Sequence, residues 1–160
     1  MTPRWTFHIV PVLLFASSAA AGPLTFTFAS SLLTAGRGQT VTFSATLMNT
    51  GSTALFLNSD AVNIAAPLIA DDTKFFLNVP LSLASSQSVT APILDVTVPL
   101  GSPFGLYPGN FVVLGGATPG ELINVGSATF AVNVVPEPGP IASLIGGAIV
   151  LWTVHRRRIA

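Results

Sequence analysis

The sequence lacks cysteine altogether, has few charged residues, and places both of its histidines near its ends. Only 8% of the 160 residues are charged, and the two histidines are His8 and His155. Without cysteine no disulfide can form, so packing alone must hold the fold. The interior of the chain lacks the residues needed for Ser-His-Asp or Cys-His catalysis and for ordinary zinc sites. We therefore expect no enzymatic activity, no cofactor and no metal.

The few charges are unevenly distributed. Arg4 and the run Arg156–Arg158 supply four of the six basic residues. Between Gly22 and Val134 two basic residues stand against five acidic ones, which gives this stretch a net charge of −3. A weakly acidic domain has no electrostatic attraction for nucleic acid, so we expect no nucleic-acid partner.

Residues 1–21 have the pattern of a secretory signal peptide. Arg4 precedes a mainly apolar stretch over residues 7–15, and small residues follow up to Ala21. Ala19 and Ala21 fit the small-residue pattern that signal peptidase cuts, which predicts a mature chain beginning at Gly22. The alternative interpretation is that this stretch forms a hydrophobic first strand or helix of the domain.

The carboxyl end contains three different segments in succession. A proline-rich segment, Val135–Pro140, favours extended and exposed backbone that a peptidase can reach. An apolar run over residues 141–154 can enter a bilayer, and the cluster Arg156–Arg158 resists translocation by the positive-inside rule. The run would span about 21 Å as a helix against a hydrocarbon core of ~30 Å, so we expect a marginal, temporary stop. A core helix of the domain is the alternative.

These residues closely resemble the PEP-CTERM sorting signal of Gram-negative bacteria. Val135, Pro136, Glu137 and Pro138 match the sorting motif, residues 141–154 match its transmembrane helix, and Arg156, Arg157 and Arg158 match its basic end. The resemblance covers about 26 of the 160 residues, 135–160. It implies recognition by an exosortase, a membrane-embedded cysteine protease-transpeptidase, and attachment or release at the cell surface of a bacterium that makes extracellular polysaccharide. The tail would then be removed, as it is in GPI-type signals.

Between the two signals, residues 22–134 alternate in the manner of β-strands. Leu24, Phe26 and Phe28 share one face, and several further segments repeat this period of two. Turn signals separate the segments, including Gly36-Arg37-Gly38 and Pro108-Gly109. The pattern predicts an all-β domain, an antiparallel immunoglobulin-like β-sandwich, flanked by the signal peptide and the C-terminal transmembrane helix.

A search of this domain for chemistry finds weak candidates. Asp71-Asp72 could offer oxygen ligands to calcium, but the pattern is more typical of a turn and helix cap, with Lys74 as a local counter-charge. A Ser-Lys catalytic arrangement with Lys74 has no supporting motif. Phe104, Tyr107 and Phe111 could form a glycan-binding patch, although core and turn packing is the favoured interpretation.

Together these features predict an exported, non-enzymatic surface or extracellular-matrix protein. Its expected partners are signal peptidase, an exosortase and the inner membrane, where it would be a single-pass intermediate, with extracellular polysaccharide as a further candidate. A glycan- or matrix-binding adhesion module is the alternative, and a small hydrolase is disfavoured by the missing histidine and cysteine.

Overall fold

Two β-sheets face each other across an apolar core in the part of the chain that the structure, a computed structural model, describes, which is residues 22–136. The elements in chain order are β1 (Leu24–Phe28), β2 (Leu32–Ala35), β3 (Thr40–Asn49), β4 (Leu55–Ile64), β5 (Ile69–Asp71), α1 (Thr73–Asn78), β6 (Ser82–Leu83), β7 (Ser88–Thr97), β8 (Gly105–Gly116) and β9 (Ile123–Val134). One sheet has the strand order β1-β3-β7-β5 and the other β2-β9-β8-β4-β6. The predicted β-sandwich is confirmed.

The alternating segments form strands because one face of each can be buried between the sheets. In β1, Leu24, Phe26 and Phe28 are buried while the intervening threonines are exposed. In β3, Phe43, Ala45 and Leu47 are buried in the same way. Side chains of a strand point alternately to its two faces, so a period of two in the sequence becomes an apolar face and a polar face.

Phenylalanine rings join the two sheets. Phe28 of one sheet lies 5.5 Å from Phe130 of the other, measured between ring centroids, and Phe43 lies 4.9 Å from Phe130. Phe26 and Phe111 form a second contact between the sheets at 5.6 Å. Tilted and edge-on ring pairs at these distances add roughly 0.5–1.5 kcal/mol each beyond the burial of their area.

The short helix α1 was not predicted, because six residues are too few for a helical period to be visible. Phe75 is its buried residue, and the ring packs 5.7 Å from Phe111 in the core. Asn78, the last helical residue, donates from Nδ2 to the carbonyl of Pro92 in β7 at 3.0 Å. These contacts fix the helix to the sandwich.

Two sequence predictions are corrected by the strand pairing. β2 runs parallel to β9, whereas the other paired strands of residues 22–136 are antiparallel. Pro108-Gly109, predicted to be a turn, lies inside β8. The carbonyl of Pro108 accepts from the N–H of Ala65, just beyond the end of β4. Pro108 therefore lies where the pairing with β4 has ended, a position in which a strand tolerates a residue without an N–H.

Gly109 does not form a turn, and its lack of a side chain allows the ring of Phe130 to pack closely against it. It pairs with Phe130 across β8 and β9, and a Cβ there would lie 2.5 Å from Phe130 Cζ. The ring of Phe130 therefore occupies the space that a larger residue at position 109 would need.

Residues 22–136 contain no helix with the length and apolar character needed to cross a membrane. The predicted signal peptide, residues 1–21, and the predicted transmembrane helix, residues 141–154, lie outside the described residues.

Candidate functional site

The chain leaves the sandwich at the end of β9, directly before the predicted sorting motif. Val135 is half-buried, and its N–H donates to the carbonyl of Ala35 at 3.0 Å, which ties it to β2. Pro136 is exposed. The other predicted site residues lie outside the described range: Ala19, Ala21, Glu137, Pro138, Arg156, Arg157 and Arg158.

An exposed surface lies beside this exit, and we call it the base surface: Arg37, Leu100, Phe104, Leu106 and Val135. Gly105 pairs with Val134, so Phe104 and Leu106 stand next to the point where the chain leaves. A recess of about 320 Å³ is lined by Arg37, Leu100, Phe104 and Val135. The base surface thus combines large apolar side chains with one basic side chain.

Arg37 is fixed over an aromatic ring of this surface. Its Nε donates to the carbonyl of Ser102 at 2.7 Å, and its guanidinium carbon lies 4.0 Å from the centroid of Phe104. A cation over a ring face at this distance contributes about 0.5–1 kcal/mol where the site is exposed. The pair orders both side chains although both are exposed.

Leu100 is positioned by the turn that carries Arg37. Gly38 has a φ of +77°, in the left-handed region that favours glycine, and its N–H donates to the carbonyl of Val98 at 2.7 Å. A Cβ on Gly38 would lie 2.9 Å from Leu100 Cδ2, so the leucine side chain rests directly against the glycine.

A second candidate site is a carboxyl pair, Asp60 and Asp72, at the side of the sandwich. The register of β4 against β8 shifts between Leu57 and Ser59, and this bulge changes which residues face inward. After the bulge, Asp60 lies on the same face of β4 as Val62 and Ile64, which pack against the core. Asp72 immediately precedes α1. No local pattern in the sequence indicates that these two residues meet.

Asp60 is placed where its protonated form is favoured. Both carboxyl oxygens of Asp60 are buried without a hydrogen-bond donor. Burial is the main cause that raises the pKa of Asp60 to about 7, and the negative charge of Asp72 adds to it. Two ionised carboxylates can only accept, whereas a proton on one of them supplies a donor between them.

Within the described part of the chain, the carboxyl pair is not part of a larger group of metal-ligating side chains. No group of three or more metal-ligating side chains of the His, Cys, Asp or Glu type occurs among residues 22–136. Asp71 points elsewhere, because its Oδ1 accepts from the N–H of Thr73 at 3.0 Å. Hydrogen bonds from the side chain and then the N–H of Thr73 lower the pKa of Asp71. Burial beside a second carboxylate raises the pKa of Asp60 alone toward neutral pH.

The interpretation of the Asp71-Asp72 segment is partly confirmed and partly wrong. Asp71 does form the predicted turn, but Asp72, at the N-cap position, makes no side-chain capping hydrogen bond. Lys74 pairs with Asp95 of β7 at 2.8 Å and with the hydroxyl of Thr42. Its charge also adds to the lowering of the Asp71 pKa by the hydrogen bonds from Thr73, so the predicted local counter-charge is present beside the ion pair with β7. Such an exposed ion pair contributes little to stability.

The three aromatics considered as a glycan patch do not form a common surface. Phe111 is fully buried, and Tyr107 donates its hydroxyl to the carbonyl of Pro103 at 2.8 Å. Phe104 is half-exposed under Arg37. The favoured interpretation, core and turn packing, is confirmed for Phe111 and Tyr107.

Comparisons with known proteins identify no family. No family model matches the chain, and no curated protein matches it. Among solved structures, a part of α2-macroglobulin from Escherichia coli is 19% identical with a TM-score of 0.49, covering 72% of this chain and 17% of that one. The CARDB domain of a Pyrococcus furiosus protein is 22% identical with a TM-score of 0.48, covering 72% and 97%.

A PapD-like domain of human CEP192 is 14% identical with a TM-score of 0.40, covering 86% of this chain and 99% of that one. All these likenesses are loose. The β-sandwich rests on the strand pairings of this chain itself.

Proposed function

We propose that this chain is an exported, non-enzymatic surface or extracellular-matrix protein that an exosortase sorts through residues 135–160. The observation that carries the proposal is the exit geometry. β9 ends at Val134, Val135 is the last of the described residues that hydrogen-bonds to a strand, and Pro136 is exposed. A peptidase requires extended, accessible backbone, and Pro136, the first residue of the Pro-Glu-Pro motif, is exposed outside the hydrogen-bonded strands.

The route has three steps. Signal peptidase cuts after Ala21, the apolar run 141–154 stops in the inner membrane, and Arg156–Arg158 hold its end on the cytoplasmic side. The exosortase then acts at the motif Val135-Pro136-Glu137-Pro138, and the domain goes to the cell surface or matrix. The resemblance of residues 135–160 to the PEP-CTERM signal supports this order.

The domain is proposed to be immunoglobulin-like. The order β1-β3-β7-β5 corresponds to the A-B-E-D sheet of that fold, and β9-β8-β4 to its G-F-C strands. The parallel pairing of β2 with the last strand extends the second sheet. A fold of this kind carries no function by itself.

The lack of catalytic machinery in the domain favours a structural role. The only histidines of the chain fall in residues 1–21 and 135–160. Lys74, the one lysine of the described domain, is held by Asp95. An adhesion module is not favoured by any observation, because the aromatics that could stack on a sugar are separated, as described above.

The direct test is Glu137→Ala in a host that carries an exosortase, with Glu121→Ala as the matched acidic control in an exposed loop of the domain. We expect Glu137→Ala to accumulate a membrane-associated form that retains the tail, while Glu121→Ala matures normally. Normal maturation of both variants would show that the motif is not recognised.

A further inference from the structure

The base surface brings together three large apolar side chains that are each at least half exposed. The exposed fractions are 78% for Leu100, 50% for Phe104 and 62% for Leu106. Burying apolar surface gains about 25 cal/mol per Å², so grouped exposed side chains of this size mark a contact surface. The question is what covers them.

The length of the chain beyond the sandwich indicates an answer. Four residues, 137–140, separate Pro136 from the apolar run that begins at Ile141. Five extended peptide steps span at most about 18 Å. When residues 141–154 lie in a bilayer, the exit of the domain, and with it the base surface, must therefore lie close to the lipid headgroups.

Two other exposed apolar side chains lie too far away to share this constraint. Leu122 and Ile123 are 62% and 60% exposed, but they lie at the opposite end of β8 and β9. Twelve residues of β9 separate the two ends, about 37 Å at the rise of an antiparallel strand. Leu122 and Ile123 therefore cannot reach the bilayer while the base surface faces that bilayer.

The charge of the base surface also fits a phospholipid membrane. Arg37 is fixed by Ser102 and Phe104, and its guanidinium takes part in no ion pair among residues 22–136. None of the described residues that line the recess carries a carboxylate. A basic side chain near an anionic membrane contributes about 1 kcal/mol of attraction.

We propose that the base surface docks on the anionic phospholipid surface of the membrane in which residues 141–154 are held. This inference rests on the proposed function. Leu100, Phe104 and Leu106 enter the headgroup region, and Arg37 pairs with lipid phosphate. Docking holds Pro136 and the motif after it at the interface, within reach of a membrane-embedded protease, instead of leaving the domain to swing on its tether.

The test uses the full chain from Gly22 to Ala160, reconstituted in vesicles of phosphatidylethanolamine and phosphatidylglycerol. Because the chain has no cysteine, Leu106→Cys and the control Leu122→Cys each give one labelling position of similar exposure. Each variant is labelled at its cysteine with an environment-sensitive fluorophore. Lipids that carry a quencher on the upper part of the acyl chain reduce its fluorescence when the labelled position contacts the membrane. Flotation of the vesicles measures insertion of the tail separately.

We expect quenching at position 106 to exceed that at position 122 several-fold. In the Leu106→Cys background, Arg37→Gln and Phe104→Ser should reduce it, whereas Thr90→Ser, on the outer side of β7, should not. If the protein floats with the vesicles but quenching is equally low at both positions, the docking proposal is overturned and the proposed function stands. A base surface covered by residues 137–160 instead of lipid would also give equal, low quenching. Protein that does not float with the vesicles overturns both.

Discussion

Asp60 and Asp72 are twelve residues apart in the sequence, yet their carboxyl groups interact at the side of the sandwich. Asp60 reaches this position because the bulge after Leu57 turns its side chain inward. Burial and the neighbouring charge make its ionisation unfavourable. The stability of the domain should therefore depend on pH.

We expect the free energy of unfolding to fall between about pH 4 and pH 7. The pKa of Asp60 rises from 3.8 to about 7 on folding, so the folded state binds the proton more tightly and its advantage is lost as pH rises through that range. The full shift would correspond to about 4 kcal/mol, and solvent around this half-buried group should reduce it to about 1–2 kcal/mol. Urea unfolding of residues 22–136 at several pH values measures it.

The substitution Asp60→Asn tests the cause. A neutral amide of the same shape cannot ionise, so the variant should have a flatter pH profile than the natural chain and greater stability at pH 8. Asp71→Asn is the control, since Asp71 is exposed and its pKa is lowered; this variant should keep the decline between pH 4 and pH 7. A decline that persists in Asp60→Asn would assign the effect to another group.

Asn49→Ala should destabilise the domain by about 2–4 kcal/mol. Asn49 is fully buried, and its Nδ2 donates to the carbonyls of Thr53 and Leu83 at 2.8 and 2.9 Å. Truncation leaves buried carbonyls without donors, and each costs about 1–3 kcal/mol. The measurement is the urea midpoint.

Asn58→Ala is the matched control for this residue. Asn58 also donates to two carbonyls, but these bonds are exposed, so water can replace them and the loss should stay below about 1 kcal/mol. Equal losses in the two variants would show that burial is not the reason Asn49 matters.

Lys74→Met should change the unfolding free energy by less than about 1 kcal/mol. The Lys74–Asp95 pair is partly exposed, and such pairs gain little because water already solvates both charges. The salt dependence of the urea midpoint should be weak for the natural chain and weaker for the variant. A loss of several kcal/mol would mean that the ion pair anchors α1.

Replacing Arg156, Arg157 and Arg158 with serine should abolish retention of the precursor in the membrane. The run 141–154 is short and marginally apolar, so the arginines supply the barrier to translocation. Fractionation of cells should find the variant in the periplasm or mis-sorted, while the milder change of all three to lysine should preserve retention. Unchanged processing of the serine variant would contradict the positive-inside argument.

The strands were predictable where one face is buried along a long segment. β1 and β3 carry unbroken alternation, and the structure buries the expected residues. The prediction of a turn at Pro108-Gly109 was wrong, because this dipeptide also suits a strand in this position. Proline is tolerated where the neighbouring strand β4 ends, and glycine leaves space for the ring of Phe130. The parallel position of β2 depends on β9, about a hundred residues later, and no local pattern encodes it.

The candidate sites were less predictable than the fold. The interaction of Asp60 with Asp72 and the stacking of Arg37 on Phe104 join residues from separate loops and strands, so only the folded arrangement reveals them. The glycines on either side of Arg37 predict a turn, but nothing in that pattern indicates that the guanidinium lies over the ring of Phe104. The sorting motif, in contrast, is encoded in consecutive residues and could be identified without a fold.

The intact mass of the mature protein, isolated from the surface fraction of its own host, tests the central claim most directly, because one spectrum reports both cleavages. We predict a chain that begins at Gly22 and has lost Arg156, Arg157 and Arg158, with any added mass attached near Pro136. A surface-displayed protein that still carries its first residues or its arginine cluster would contradict the account.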